Sequence, residues 1–190
     1  MKKTKKRVVT RKALALILAL IAILTFTSIT SLARDFVRLG PRWGSSFITF
    51  SFDNWNSARA RTIFTNGAAS WNSGTRIDLV RANNISGIDI DIGEGRFNTA
   101  WDGFTVSISR NGFFQSSIIN LNMNATLTWN NDRALLSVVV HEFGHALGLD
   151  DNPGTRTVMN GTTWGANSRF QTFNITAPQT GDRNGINSIY

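Results

Sequence analysis

The only two histidines of this 190-residue chain, His141 and His145, stand four residues apart. Helical spacing puts both rings on one face, about 6 Å apart along the axis, where a single ion can reach both. A pair so placed constrains the fold strongly, because it demands a helix rigid enough to aim two imidazoles at one point. Glu142 follows the first ring, and Gly148 can end the helix with a left-handed residue and turn the chain back. Asp151 then returns as a third ligand, giving two nitrogens, one oxygen and an open fourth position around a zinc ion. Asp150 is the competing third ligand, one residue nearer the helix; the spacing favours Asp151.

The rest of the chain supplies a scaffold for such a helix. Phe47 to Asp53 alternates, with Ile48, Phe50 and Phe52 on one face, as a half-buried strand does. Asn56 and Ser57 can cap a helix reaching about Asn72, with Ala60, Phe64, Ala68 and Trp71 at helical spacing. Further strands are read around Ile77 and Leu79, around Ile88, Ile90 and Ile92, and around Phe104, Val106 and Ile108. A fifth is expected to turn Ile119, Leu121 and Met123 inward and Asn120, Asn122 and Asn124 outward. Gly93-Glu94-Gly95, Asp102-Gly103 and Asn111-Gly112 are the turn signals between them. The histidine helix should start near Asn131, with Asp132 against the positive end of its dipole. Leu135, Leu136, Val138, Val139, Val140, Phe143, Ala146 and Leu147 make it apolar on nearly every side, the mark of a buried helix. A Gly-, Asn- and Thr-rich loop follows Asp151. A closing helix of about Gln179 to Ile189 ends the chain, with Pro178 at its start. The class is therefore α+β.

The net charge of +8 suggests nucleic acid until it is located. Seven of the twenty basic residues precede residue 13, and from Arg34 onward thirteen arginines face twelve acids. The basic character belongs to the leader, so no nucleic-acid partner is expected. That leader has a charged opening, an apolar run from Ala13 to Phe26 and a small-x-small site at Ser31-Leu32-Ala33, as in a secretory signal peptide. Residues 1–33 are read as a signal peptide cleaved near Ala33, 34–46 as an irregular lead-in and 47–190 as the folded domain, carrying the histidine helix, of a secreted protein. The alternative is an uncleaved anchor over residues 13–29, the only membrane association expected. With no cysteine, disulfides and thiol chemistry are excluded.

These residues resemble a known family. His141 to Asp151 writes HExxHxxGxxD and resembles the metzincin zinc-binding sequence, in the aspartate variant shared with snapalysin-like secreted bacterial peptidases. Thr157-Val158-Met159 is placed like the Met-turn of that clan, and Asp182 to Tyr190 resembles the last helix of matrixin catalytic domains. The likeness to a matrixin-like metzincin implies a twisted five-stranded mixed sheet with one antiparallel edge strand, a long active-site helix and a C-terminal helix. It implies one catalytic zinc on His141, His145 and Asp151, Glu142 as general base and Met159 as an apolar floor. Protein or peptide substrates would lie extended along Phe104 to Ser109, with a pocket walled by Asn160 to about Asn167. A monomer is expected, and calcium is a further candidate cofactor with no residues assigned, although Asp89, Asp91 and Glu94 offer oxygen ligands. The competing reading is an exported or membrane-tethered binding protein with a non-catalytic zinc site. Retention of Glu142 and the lack of a fourth protein ligand favour catalysis.

Overall fold

The computed structural model describes residues 35–82 and 87–190. The leader, its cleavage point at Ala33 and the anchor over 13–29 lie outside the described residues. In β2 (Phe47–Phe52), which follows a short β1 (Val37–Arg38), Ile48, Phe50 and Phe52 are buried as their alternation requires. Ser57 caps α1 (Ala58–Asn72), its hydroxyl accepting from the Ala60 N–H at 3.1 Å. β3 (Asp78–Arg81) and β4 (Ile90–Gly95) flank β2, both parallel to it. β5 (Gly103–Arg110) and β6 (Phe113–Asn122) form a hairpin whose turn residues, Asn111 and Gly112, are both left-handed, at φ 53° and 80°. β6 runs parallel to β4, so the sheet order is β3-β2-β4-β6-β5 and only the edge strand β5 is antiparallel. The mixed five-stranded sheet of an α+β fold is thus present.

A one-turn α2 (Thr126–Trp129) leads into α3 (Asp132–Ala146), which is followed by β7 (Leu149–Asp150) and, after a long loop, α4 (Thr180–Asn187). Asn131 caps α3 by accepting from the Arg133 and Ala134 N–H groups, each at 3.1 Å. Phe143 of α3 meets Phe50 of β2 and Phe64 of α1 edge-on, with both pairs of ring centroids 5.6 Å apart. Edge-on aromatic pairs are worth about 0.5–1.5 kcal/mol each beyond their burial. The indole N–H of Trp71, at the far end of α1, donates to the Val140 carbonyl at 2.9 Å. α3 is therefore bolted to both α1 and the sheet.

Several expectations are corrected. Gly93-Glu94-Gly95 is the end of β4 rather than a turn; without a Cβ at Gly93 the Asn120 carboxamide can lie across the strand, 2.5 Å from where that Cβ would stand. Asn122, expected to face out, is buried: its oxygen accepts from the Phe97 and Asn124 N–H groups at 3.1 and 2.9 Å, fastening the loop before β5. Met123 and Asn124 lie past the end of the strand. The lead-in is not wholly irregular, because β1 pairs antiparallel with β7. The closing helix is shorter than expected, with Gln179 as its cap and Pro178 outside it.

Candidate active site

α3 delivers both histidines to one place because its core packing leaves it no freedom to roll. His141 and Glu142 are buried, and His145 is partly so. Each imidazole is fixed through its inner nitrogen: His141 Nδ1 lies 3.0 Å from the Val158 carbonyl and His145 Nδ1 lies 2.9 Å from the Leu149 carbonyl. A carbonyl can only accept, so each Nδ1 is a donor and the neutral form of each ring presents its Nε2 as the lone-pair nitrogen. The two Nε2 atoms stand 3.1 Å apart.

Gly148, at φ +101°, turns the chain out of α3, and the β1–β7 pairing carries it on to Asp151. One Asp151 oxygen, Oδ1, lies 3.5 Å from His141 Nε2 and 3.6 Å from His145 Nε2. Asp150 takes a different course. Its main chain pairs with Val37 and its carboxylate accepts from the Asp151 N–H at 2.8 Å, outside the group formed by His141, His145 and Asp151. Three donor atoms about 2.0–2.2 Å from a tetrahedral zinc would be separated by roughly 3.3–3.6 Å. The two Asp151 separations fall in that range and the histidine pair lies just below it, so the three residues fit such an ion. Asp89 and Glu94 are engaged by protein donors, through Thr49 and Ser57 respectively.

Met159 is buried, its sulfur against Gly144 of α3. The Val158 and Met159 N–H groups donate to the fully buried Asp182 carboxylate at 2.9 and 3.3 Å, and the Gln179 N–H does so at 2.7 Å. Asp182 thus holds the turn whose carbonyl holds His141. Burial raises the Asp182 pKa, opposed by these three hydrogen bonds and by Arg183.

A cleft of about 830 Å³ opens over the site, bounded by Phe104, Thr105, Ser107 and Ser109 of β5 on one side and by Gly161 to Trp164 on the other. The expected substrate strand and pocket loop therefore face one another across His141 and Glu142. Burial raises the Glu142 pKa above the ordinary carboxylate value, with Asp151 adding to this and His145, Thr105 and Arg169 opposing it. Burial also lowers His141 well below the usual imidazole value, helped by Arg169 and His145. His141 is thus held neutral, as a ligand must be.

Three contributors were not foreseen. Arg169 is buried against the cleft, bonding the Asn160 carbonyl at 2.9 Å and the Thr163 hydroxyl at 2.8 Å, and burial brings its pKa down to about 10. It lies in a loop without periodicity, where nothing in the chain signals burial. Thr105 donates to Glu142 although its alternation with Phe104 and Val106 reads as an ordinary strand face. The role of Asp182 was also missed, although an acid at the third helical position is a recognisable capping signal.

The family model described as matrixin matches residues 42–190. No curated protein matches the chain.

Proposed function

The chain belongs to the matrixin family of zinc metalloendopeptidases, and from that premise we propose that it hydrolyses peptide bonds with His141, His145 and Asp151 as its zinc ligands and Glu142 as its general base. The observation that carries this reading is the approach of the His141 and His145 Nε2 atoms and Asp151 Oδ1, 3.1–3.6 Å apart, beside a buried glutamate in the lining of a cleft. Zinc held there would supply Lewis-acid polarisation of a water and of the scissile carbonyl. Glu142 takes the proton from the attacking water and passes it to the leaving amine; its raised pKa suits both halves of that transfer. Met159 does not ligate and gives the histidines an apolar floor. The substrate lies extended beside β5, whose outer edge has no partner strand among the described residues, so that main-chain hydrogen bonds supply affinity and the Gly161 to Trp164 wall receives a side chain.

The protein acts as a monomer outside the cell after cleavage near Ala33. A mass of the exported protein that begins at Arg34 supports this, and retention of residues 13–29 would overturn it. The reaction itself is tested with casein and a peptide library, with and without a chelator, beside Glu142→Gln. Loss of general-base assistance should lower turnover by about 10²–10⁴ while zinc is retained. A zinc-loaded Glu142→Gln variant cutting at the unmodified rate would refute the assignment.

A further inference from the structure

β5 does more than offer a free edge. Thr105 turns inward from it, and its hydroxyl lies 2.8 Å from Glu142 Oε2 and 3.0 Å from the Glu142 backbone carbonyl. One hydroxyl is thus caught between the side chain and the main chain of the same glutamate. Among the described residues no other donor bonds the Glu142 carboxylate. Two residues earlier on the same face of β5 the backbone of Gly103 also closes on it: a Cβ there would stand 3.1 Å from Glu142 Cγ, 3.2 Å from its Oε1 and 2.7 Å from Val138 Cγ1. The carboxylate therefore rests against two residues of the edge strand, with Oε2 bonded and Oε1 left without a protein donor.

We propose that Thr105 is the positioning residue for Glu142: its hydroxyl holds Oε2 and fixes the carboxylate plane, so that Oε1 is the oxygen offered to the cleft. This rests on the reading of Glu142 as the base. It adds that the strand that receives the substrate also holds the proton acceptor, so that strand and base move together. A glutamate carboxylate has two rotatable bonds before its plane is set, and one hydrogen bond at 2.8 Å removes most of that freedom. A base set about 1 Å out of place is enough to cost on the order of a hundredfold in rate.

The bland alternative is that the hydroxyl merely ties β5 to α3 through the Glu142 carbonyl. Thr105→Val keeps the shape and removes the donor, while Thr105→Ser keeps the donor. Each is compared with the unmodified zinc-loaded protein for kcat, KM, zinc content and thermal midpoint, and the valine variant is crystallised. The expected result is a kcat for Thr105→Val lower by about ten- to a hundredfold. KM and zinc content should be unchanged, the serine variant should be close to unmodified, and the Glu142 carboxylate should be rotated in the crystal. Equal kcat in Thr105→Val, or equal losses in valine and serine variants that fold, would overturn the proposal. A fallen thermal midpoint with kcat intact would assign Thr105 the tying role alone. If the valine variant does not fold, a serine variant with reduced kcat and unchanged zinc refutes the proposal, and one with full kcat supports it against Thr105→Ala. Glu142→Gln separates the two readings: an inactive glutamine variant beside a fully active Thr105→Val sinks only the positioning role.

Discussion

The three proposed ligand side chains come from two unlike places. His141 and His145 stand on a helix with eleven buried residues, each ring clamped by a backbone carbonyl. Asp151 stands on an exposed turn after a two-residue strand, with 48 % of its side chain open to solvent. The histidines are aimed by the same packing that makes the core. The aspartate is aimed by one left-handed glycine, a short strand pair and the neighbouring loop. Damage on the helix side should therefore unfold the protein as it removes the metal, whereas damage on the turn side should remove the metal from a protein that stays folded.

The sharpest test of that contrast is Met159→Ala. Met159 is buried against Gly144 of the histidine helix, so truncation leaves a cavity and should cost about 2–5 kcal/mol of stability, read by denaturant unfolding, together with weakened zinc binding. Gly144→Ala attacks the same floor from above, because the new methyl would run into the Met159 sulfur. Overpacking of this kind costs about 1–3 kcal/mol. A neutral result would mean that the floor yields more readily than the core around it.

Acid should show the same asymmetry in the metal-free protein. Burial lowers the His141 pKa below its ordinary value of 6.5, so the unfolded chain takes up this proton before the folded one does. Stability from this group is present above about pH 6.5 and is lost as the pH falls through the window below it, at most about 1.4 kcal/mol per pH unit. Thermal midpoints measured on either side of that pH should diverge, and His141→Gln should flatten the difference. The smallest effect on the fold is expected from Gly161→Ala on the turn side. Its Cβ would stand 3.0 Å from Asp151 Oδ1, so the carboxylate must shift by a few tenths of an ångström. Stability should change by less than about 0.5 kcal/mol while zinc affinity falls severalfold. If Gly161→Ala destabilised the fold as much as Gly144→Ala, the contrast between the two sides would be gone.

The helix side was also the legible one. Its histidine spacing, its cap at Asn131 and its apolar residues on nearly every side are local features, written within one turn or one helix, and the structure shows the helix, its cap and its burial as read. The hairpin at Asn111-Gly112 was legible for the same reason, since both residues favour left-handed backbone. What escaped reading depends on partners far along the chain. β7 exists because residues more than a hundred positions earlier pair with it. Asn122 is buried because the loop before β5 brings it donors. Gly93 continues a strand because Asn120 needs its space. Thr105 and Arg169 look like any strand threonine and any loop arginine until the fold brings Glu142 and the Asn160 carbonyl to them.

Zinc content decides the central assignment most directly, because Asp150 and Asp151 differ in position by a single residue and in proposed role completely. The unmodified protein, Asp150→Ala and Asp151→Ala are each purified, their folding is checked by circular dichroism, and bound zinc is measured per chain. We predict stoichiometric zinc in the first two and none in a folded Asp151→Ala. Full zinc in Asp151→Ala, or its loss only in Asp150→Ala, would contradict the account.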